Sequence, residues 1–359
     1  MKKMLKAAAV LAAMVMALTL GACDNGSSSG SGGGDGDGSG SSGGGSKSSY
    51  LKIEGNKVTG VHLNKIPSDG KIVIPDGVEE LTGDWVLDLD VFGEDDYSLT
   101  SDKVTSISLP ASLKHTRNVI PYSWTDYGVQ TQALDIDIIY RGTLSDFCKT
   151  ENGSSGFQYA KSIKVGDDDL KTLEALVIPD GVTEIANYAF GYLPNITSVT
   201  IPASVKKIGD YAFFLPVVNS NIEAVTYKGR LKDWCDIIIN DFLSVCAMQS
   251  IKMSDGKDLK TLTKITADDI AGATKIGDYA FADCNALTDV VIPESVTKIG
   301  EGAFFSCSAL ESVTFKITDG WHEGKYDSKE DVSDAASNAY ALKGHSGQLH
   351  HPGLYRETE

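Results

Sequence analysis

The amino-acid sequence predicts a repeat solenoid of short parallel β-strands joined by short helical or 3-10 turns, with a 23-residue period. Three observations carry this expectation. The segment IPDGVTEIANYAF (178–190) restarts as IPASVKKIGDYAF (201–213), and IPESVTKIGEGAF (292–304) repeats it again. The phenylalanines closing these copies lie 23 residues apart, Phe190 to Phe213 and Phe281 to Phe304. A larger period sits above the small one. YRGTLSDFC (140–148) recurs 87 residues later as YKGRLKDWC (227–235), and DLKTL occurs at both 169–173 and 258–262. Self-similarity of this kind marks units that cannot bury their apolar face alone and must stack to do so.

Each position in the repeat has a physical reason. Val199 and Ile201 alternate with Thr200, the period-two mark of a strand with one buried face. Pro202 has no amide to donate and ends the strand. Gly181 supplies a turn, after which Val182 and Ile185 point back inward. Small Ala189 before large Phe190 suggests a tight helical turn against the core, and Leu193 and Ile196 lead to the next strand. Stacking then sets like on like, which gives a parallel ladder and an aromatic spine of Phe190, Phe213, Phe281 and Phe304. Phe147 and Trp234 are expected to pin the corner motif against that spine. Degenerate copies start at Ile74 and Leu109. Extra residues enlarge the first repeats at 79–136, and the copy at 263–276 lacks the Ile-Pro start.

The copies at 178–190, 201–213 and 292–304, with the corner at 227–235, resemble the treponemal or BspA-type leucine-rich repeat family of bacterial surface proteins. The resemblance spans roughly residues 70–317. It implies a leucine-rich-repeat solenoid, a curved stack on a bacterial surface that binds host matrix proteins, host cells or other bacteria. No catalytic residue comes with it.

Residues 1–22 read as a lipoprotein signal peptide. Lys2, Lys3 and Lys6 precede an apolar run, Ala7 to Leu20, that is too short to span a bilayer and ends in small residues. Leu20-Gly21-Ala22-Cys23 resembles a lipobox, which implies acylation of the Cys23 thiol and attachment to a membrane. Residues 24–49 hold only Gly, Ser, Asp, one Asn and one Lys. Such a segment cannot bury apolar surface, and its 26 residues would reach roughly 28 Å. The expected order is therefore a lipidated cysteine and tether (23–49), a cap hairpin with a Gly-Asn turn (50–70), the solenoid (71–317) and a C-terminal cap or tail (318–359). The expected location is the cell envelope, lipid-anchored at the outer membrane or cell surface.

The formal charge of −17 repels phosphate backbones, so nucleic acid is not an expected partner. No GxSxG elbow, HExxH pair or phosphate-cradling glycine loop is present, and neither an enzyme nor a cofactor is expected. Cys284 and Cys307 occupy one slot in adjacent coils and are expected as buried thiols rather than a disulfide, since their side chains run parallel. Pairing of Cys235 with Cys246 stays open, as does a metal role for His345, His350 and His351. Asp167-Asp168-Asp169 and Glu94-Asp95-Asp96 are taken as solvated turns. The expected partner face is the outward side of the strand ladder, lined by Ser108, Ile139, Thr200, Thr226, Val291 and Thr314, which alternate with buried residues. A face without a deep pocket suits a protein or polysaccharide surface. The rival reading is a structural envelope or periplasmic scaffold without an external ligand.

Overall fold

A computed structural model describes residues 50–62, 65–82, 104–116, 123–125, 128–130, 134–214, 222–240, 248–323, 338, 342 and 354–356. All of them belong to one compact unit, Lys47–Glu359. The leader, Cys23, the tether, Cys246, Glu94 to Asp96 and the three C-terminal histidines lie outside the described residues.

One coil shows the plan. The strand Ser198–Ile201 buries Val199 and Ile201 and turns Ser198 and Thr200 outward. Pro202 stops it, and the chain turns through Ser204 into a second, two-residue strand, Lys207–Ile208, that buries Ile208. Ser204 explains the serine of IPASV. Its hydroxyl accepts the Gly181 amide at 3.1 Å and donates to the Val182 carbonyl at 2.8 Å, both in the preceding coil. Ser112 does the same for Gly77 and Val78. Gly181 itself has a φ of 88°, which a side chain would strain.

The segment bearing Ala189 and Phe190 is not helical, contrary to expectation. Tyr188, Tyr211 and Tyr279 take left-handed φ values of 54°, 55° and 52°, and Gly302 takes 57° in the same slot. That backbone turns alternate amides toward the next coil: Tyr188, Phe190 and Tyr192 donate to the carbonyls of Asp210, Ala212 and Phe214. A helix would have spent those amides within the segment. The α-helical turns Leu144–Phe147 and Leu231–Trp234 stand instead at the corner motif. Asp146 and Asp233 start them by accepting the Thr143 and Arg230 amides.

The corner glycines have a shared cause. The Tyr140 ring folds back over Gly142, where a Cβ would come within 2.6 Å of its edge, and Tyr227 covers Gly229 in the same way. Tyr140 donates to the Ala111 carbonyl at 3.3 Å, but the buried Tyr227 hydroxyl has no hydrogen-bond partner among the described residues. Tyr227→Phe is therefore expected to leave stability unchanged or raise it by up to ~1 kcal/mol, while Tyr140→Phe should lose about 1 kcal/mol. Urea unfolding of the two variants checks this; a loss at Tyr227 equal to that at Tyr140 would contradict it.

The long strands do not make one ladder. Lys71–Val73, Ser106–Leu109, Leu134–Tyr140 and Ala160–Val165 form a first parallel set. Ala175–Val177, Ser198–Ile201, Ala224–Tyr227 and Ile251–Met253 form a second, and Lys264–Ile265, Asp289–Ile292 and Ser312–Phe315 a third. The DLKTL motif makes both breaks. Asp169 accepts the Ile163 and Lys171 amides at 3.0 Å, and Leu170 donates to the Ile163 carbonyl at 2.8 Å. Asp258 and Leu259 repeat this on Ile251. The groups that would pair with a further strand are thus already satisfied. Asp169 is a ladder stop, not a merely solvated turn residue.

The opposite side of the coils stays joined across these breaks. Ala186 donates to the Cys148 carbonyl, Asn152 to that of Asn187, and Gly277 to that of Cys235. At one end, Leu51–Glu54 and Lys57–Val61 form a hairpin through Gly55 and Asn56, and its second strand pairs in parallel with Glu80–Leu81. At the other, Trp321–Glu323 and Leu354–Arg356 pair antiparallel, and the latter also pairs with Lys298–Ile299. Asn338, buried, donates to the Val313 carbonyl at 2.9 Å.

Candidate binding surface

All six residues expected on the outward face do point outward, half-buried or exposed. They fall on three separate sheets. Ser108 pairs with Ile139, and their row runs on to Val73 on one side and Lys164 on the other. Thr200 pairs with Thr226, with Val177 and Lys252 flanking them. Val291 pairs with Thr314 in the last sheet. The ladder stops at Asp169 and Asp258 divide the long face the sequence suggested into three short ones.

The central patch carries the fewest charges. Its outward rows read Val177, Thr200, Thr226 and, one step along the strands, Ala175, Ser198, Ala224, with no charge until Lys252 at the edge. Val177 is 53% exposed, and Val73 in the first sheet 45%. Sequence reasoning passed over both valines, although Val177 stands 23 residues before Thr200 and the repeat alone would have found it.

The four phenylalanines of the expected spine are buried and stack in two pairs. Phe190 and Phe213 stack at 5.9 Å, and Phe281 and Phe304 at 5.4 Å, each pair within 10° of parallel. Phe147 packs on Phe190 at 5.8 Å, and buried Trp234 donates its indole N–H to the Ala280 carbonyl at 2.7 Å. Both corner aromatics therefore serve the core. A second aromatic group, not foreseen, lies on the turn segments, where Tyr188, Tyr192, Tyr211 and Phe214 contact one another ring to ring.

The described cysteines are not prepared for nucleophilic chemistry. Cys148, Cys235, Cys284 and Cys307 are buried free thiols. Burial pushes the Cys148 thiol up to about 12, away from the reactive thiolate. The Cys307 thiol, raised first by its hydrogen bond with Cys284 and then by burial, is also placed 3.0 Å from the Phe281 carbonyl. Burial opposes ionisation of Asp258, but hydrogen bonds from Ser250 and the Lys260 and Ile251 amides outweigh it and hold the carboxyl below its usual range. That suits a ladder stop. A cavity of about 220 Å³ opens among Asp210, Asn240, Asp278, Tyr279 and Glu301, below the usual size of a metabolite site. Among the described residues no three His, Cys, Asp or Glu side chains are grouped to hold a metal ion. No helix of the described residues is long and apolar enough to cross a membrane.

Comparison with known families identifies the coils of residues 168–319. Residues 168–254 and 237–319 match the BspA type leucine rich repeat region, in six copies. This part of the chain is a BspA-type leucine-rich-repeat region. Leucine-rich repeats are in general a protein-interaction fold rather than a catalytic one. Among solved structures, a leucine rich cell surface protein from Faecalibacterium prausnitzii is 16% identical, covers 76% of this chain and 78% of its own, with a TM-score of 0.30. A leucine-rich repeat protein from Bacteroides ovatus is 16% identical over 74% of each chain, with a TM-score of 0.27. One from Eubacterium ventriosum is 13% identical over 72% of this chain and 77% of its own, with a TM-score of 0.26. A search of curated proteins found no match.

Proposed function

We propose that this protein is a lipid-anchored binding module of the bacterial envelope that adheres to a large partner: a host matrix protein, a host cell or a neighbouring bacterial surface. The observation that carries this reading is the central outward patch, uncharged and in register across Ala175, Val177, Ser198, Thr200, Ala224 and Thr226. Small and β-branched side chains in register leave no pocket and offer area to something extended. The leader and Cys23 would fix the chain to a membrane through acyl chains, and the Gly/Ser-rich tether would hold the repeats clear of it.

Two measurements test the reading. Cys23→Ala is expected to release the protein from the membrane fraction and abolish palmitate labelling; retained labelling would refute the anchor. Adhesion of the wild-type protein to immobilised matrix, host cells or bacterial cells should fall in the micromolar range, about −8 kcal/mol. Thr200→Lys with Thr226→Lys, adjacent across one strand pair, should weaken it at least tenfold without unfolding. Unchanged adhesion in that variant removes the strand face as the site. A protein that binds none of these surfaces and is protease-protected on intact cells is an envelope scaffold instead.

A further inference from the structure

The turn segments of the first repeat pair carry an aromatic surface that the second pair keeps only in part, with Tyr279 and Phe305 in the slots of Tyr188 and Phe214. Tyr188 stacks on Tyr211 at 4.9 Å, Tyr211 meets Phe214 edge-on at 5.4 Å, and Phe214 meets Tyr192 edge-on at 6.2 Å. All four are partly exposed. Tyr159 extends the group, close enough that its charge would add to the burial that already disfavours ionisation of Tyr192.

The backbone does not ask for these rings. Tyr188, Tyr192 and Tyr211 have φ of 54°, 62° and 55°, where a bulky residue is strained by about 1–2 kcal/mol relative to glycine. Ninety-one residues on, the same slots hold Tyr279, Asp283 and Gly302, so two of the three are filled by residues that tolerate the left-handed region. Nor does the spine require them. Phe281 and Phe304 are 1% and 0% exposed beneath Asp283 and Gly302, and Phe190 and Phe213 are 2% exposed beneath the tyrosines. Neither local conformation nor core burial accounts for Tyr192 and Tyr211.

We propose that Tyr188, Tyr192, Tyr211 and Phe214 form a binding platform for a neutral glycan chain. Three of the four rings end in a hydroxyl, so the surface is amphipathic rather than greasy. A pyranose presents C–H faces that lie against such rings. Rigid tyrosines also supply contact area at small entropic cost. The charge argues against an anionic ligand. The chain carries −17 overall, and the nearby Lys171 ammonium is committed to the Gln158 carbonyl. The platform stands on the turns and not on the strand rows, so it holds or fails independently of the adhesion face.

Affinity electrophoresis of the full-length protein in gels containing mixed-linkage β-glucan, xylan, galactomannan or starch tests this. At least one polysaccharide should retard the wild type. Tyr192→Asp with Tyr211→Gly, which installs the residues of the second pair, should raise the dissociation constant at least tenfold while far-UV circular dichroism stays unchanged. Thr200→Lys with Thr226→Lys should leave retardation as it was. If the double variant loses its fold, Tyr192→Asp alone gives the same reading. Retardation by none of the four polymers, or equal retardation of wild type and tyrosine variants, overturns the proposal.

Discussion

Gly277→Ala is expected to destabilise the protein by about 3 kcal/mol or more, among the largest effects of any one-methyl change in the chain. A Cβ on Gly277 would lie closer to the Ile237 carbonyl oxygen than any non-bonded contact allows, with the Cys235 carbonyl at 3.4 Å behind it. Both obstacles are backbone, so no rotamer change relieves them. The same residue donates its amide to Cys235 and so joins the coils where the long-strand ladder has stopped. Forcing these segments apart removes a link that the strand side does not duplicate. Gly272 provides the comparison. It has a φ of 84° but open space around the missing side chain, so Gly272→Ala should lose only the ~1–2 kcal/mol of left-handed strain. Urea midpoints at constant slope measure both. Equal losses at the two glycines would mean that close coil approach at 277 does not limit stability.

Phe304→Ala should lose about 3–5 kcal/mol, as large-to-small changes in closed cores do. Phe304 is fully buried, and its ring lies flat on Phe281 at 5.4 Å. The fixed coil spacing leaves little freedom for neighbours to fill the space. Thr314→Ala, on the outward side of the Ser312–Phe315 strand, should stay within about 0.5 kcal/mol. Equilibrium unfolding of both variants separates core from surface, and small effects at both would remove the assigned register.

Much of the interior was legible because each repeat states it again. Alternation around Val199 and Ile201 gave their burial, and the 23-residue step gave the stacked phenylalanines. The serine of IPASV and the glycine of the Tyr-basic-Gly corner were visible as a pattern without a reason. Their reasons are contacts: Ser204 serves Gly181 and Val182 one coil back, and Gly229 makes room for the Tyr227 ring two residues earlier. The Ala189–Phe190 segment misled because small and large residues in sequence suit a helix as well as a left-handed turn. Only the amides of Tyr188, Phe190 and Tyr192, donated to the next coil, separate the two.

The sequence by itself determined the coil: its length, the side of each strand that faces inward, and the places where proline and glycine turn the chain. These follow from steric limits and from hydrophobic periodicity within about twenty residues. Tertiary structure alone decided how far the ladder runs and what the surface presents. Continuation past Ala160–Val165 was a competition for the Ile163 amide between a further strand and the Asp169 carboxylate, and the carboxylate holds it at 3.0 Å. Likewise Tyr188, Tyr192, Tyr211 and Phe214 become one surface only when neighbouring coils stack at a fixed distance. Periodicity reports the geometry of a single coil. Which hydrogen-bond partner wins between coils, and which side chains meet there, is settled only once the coils are in place.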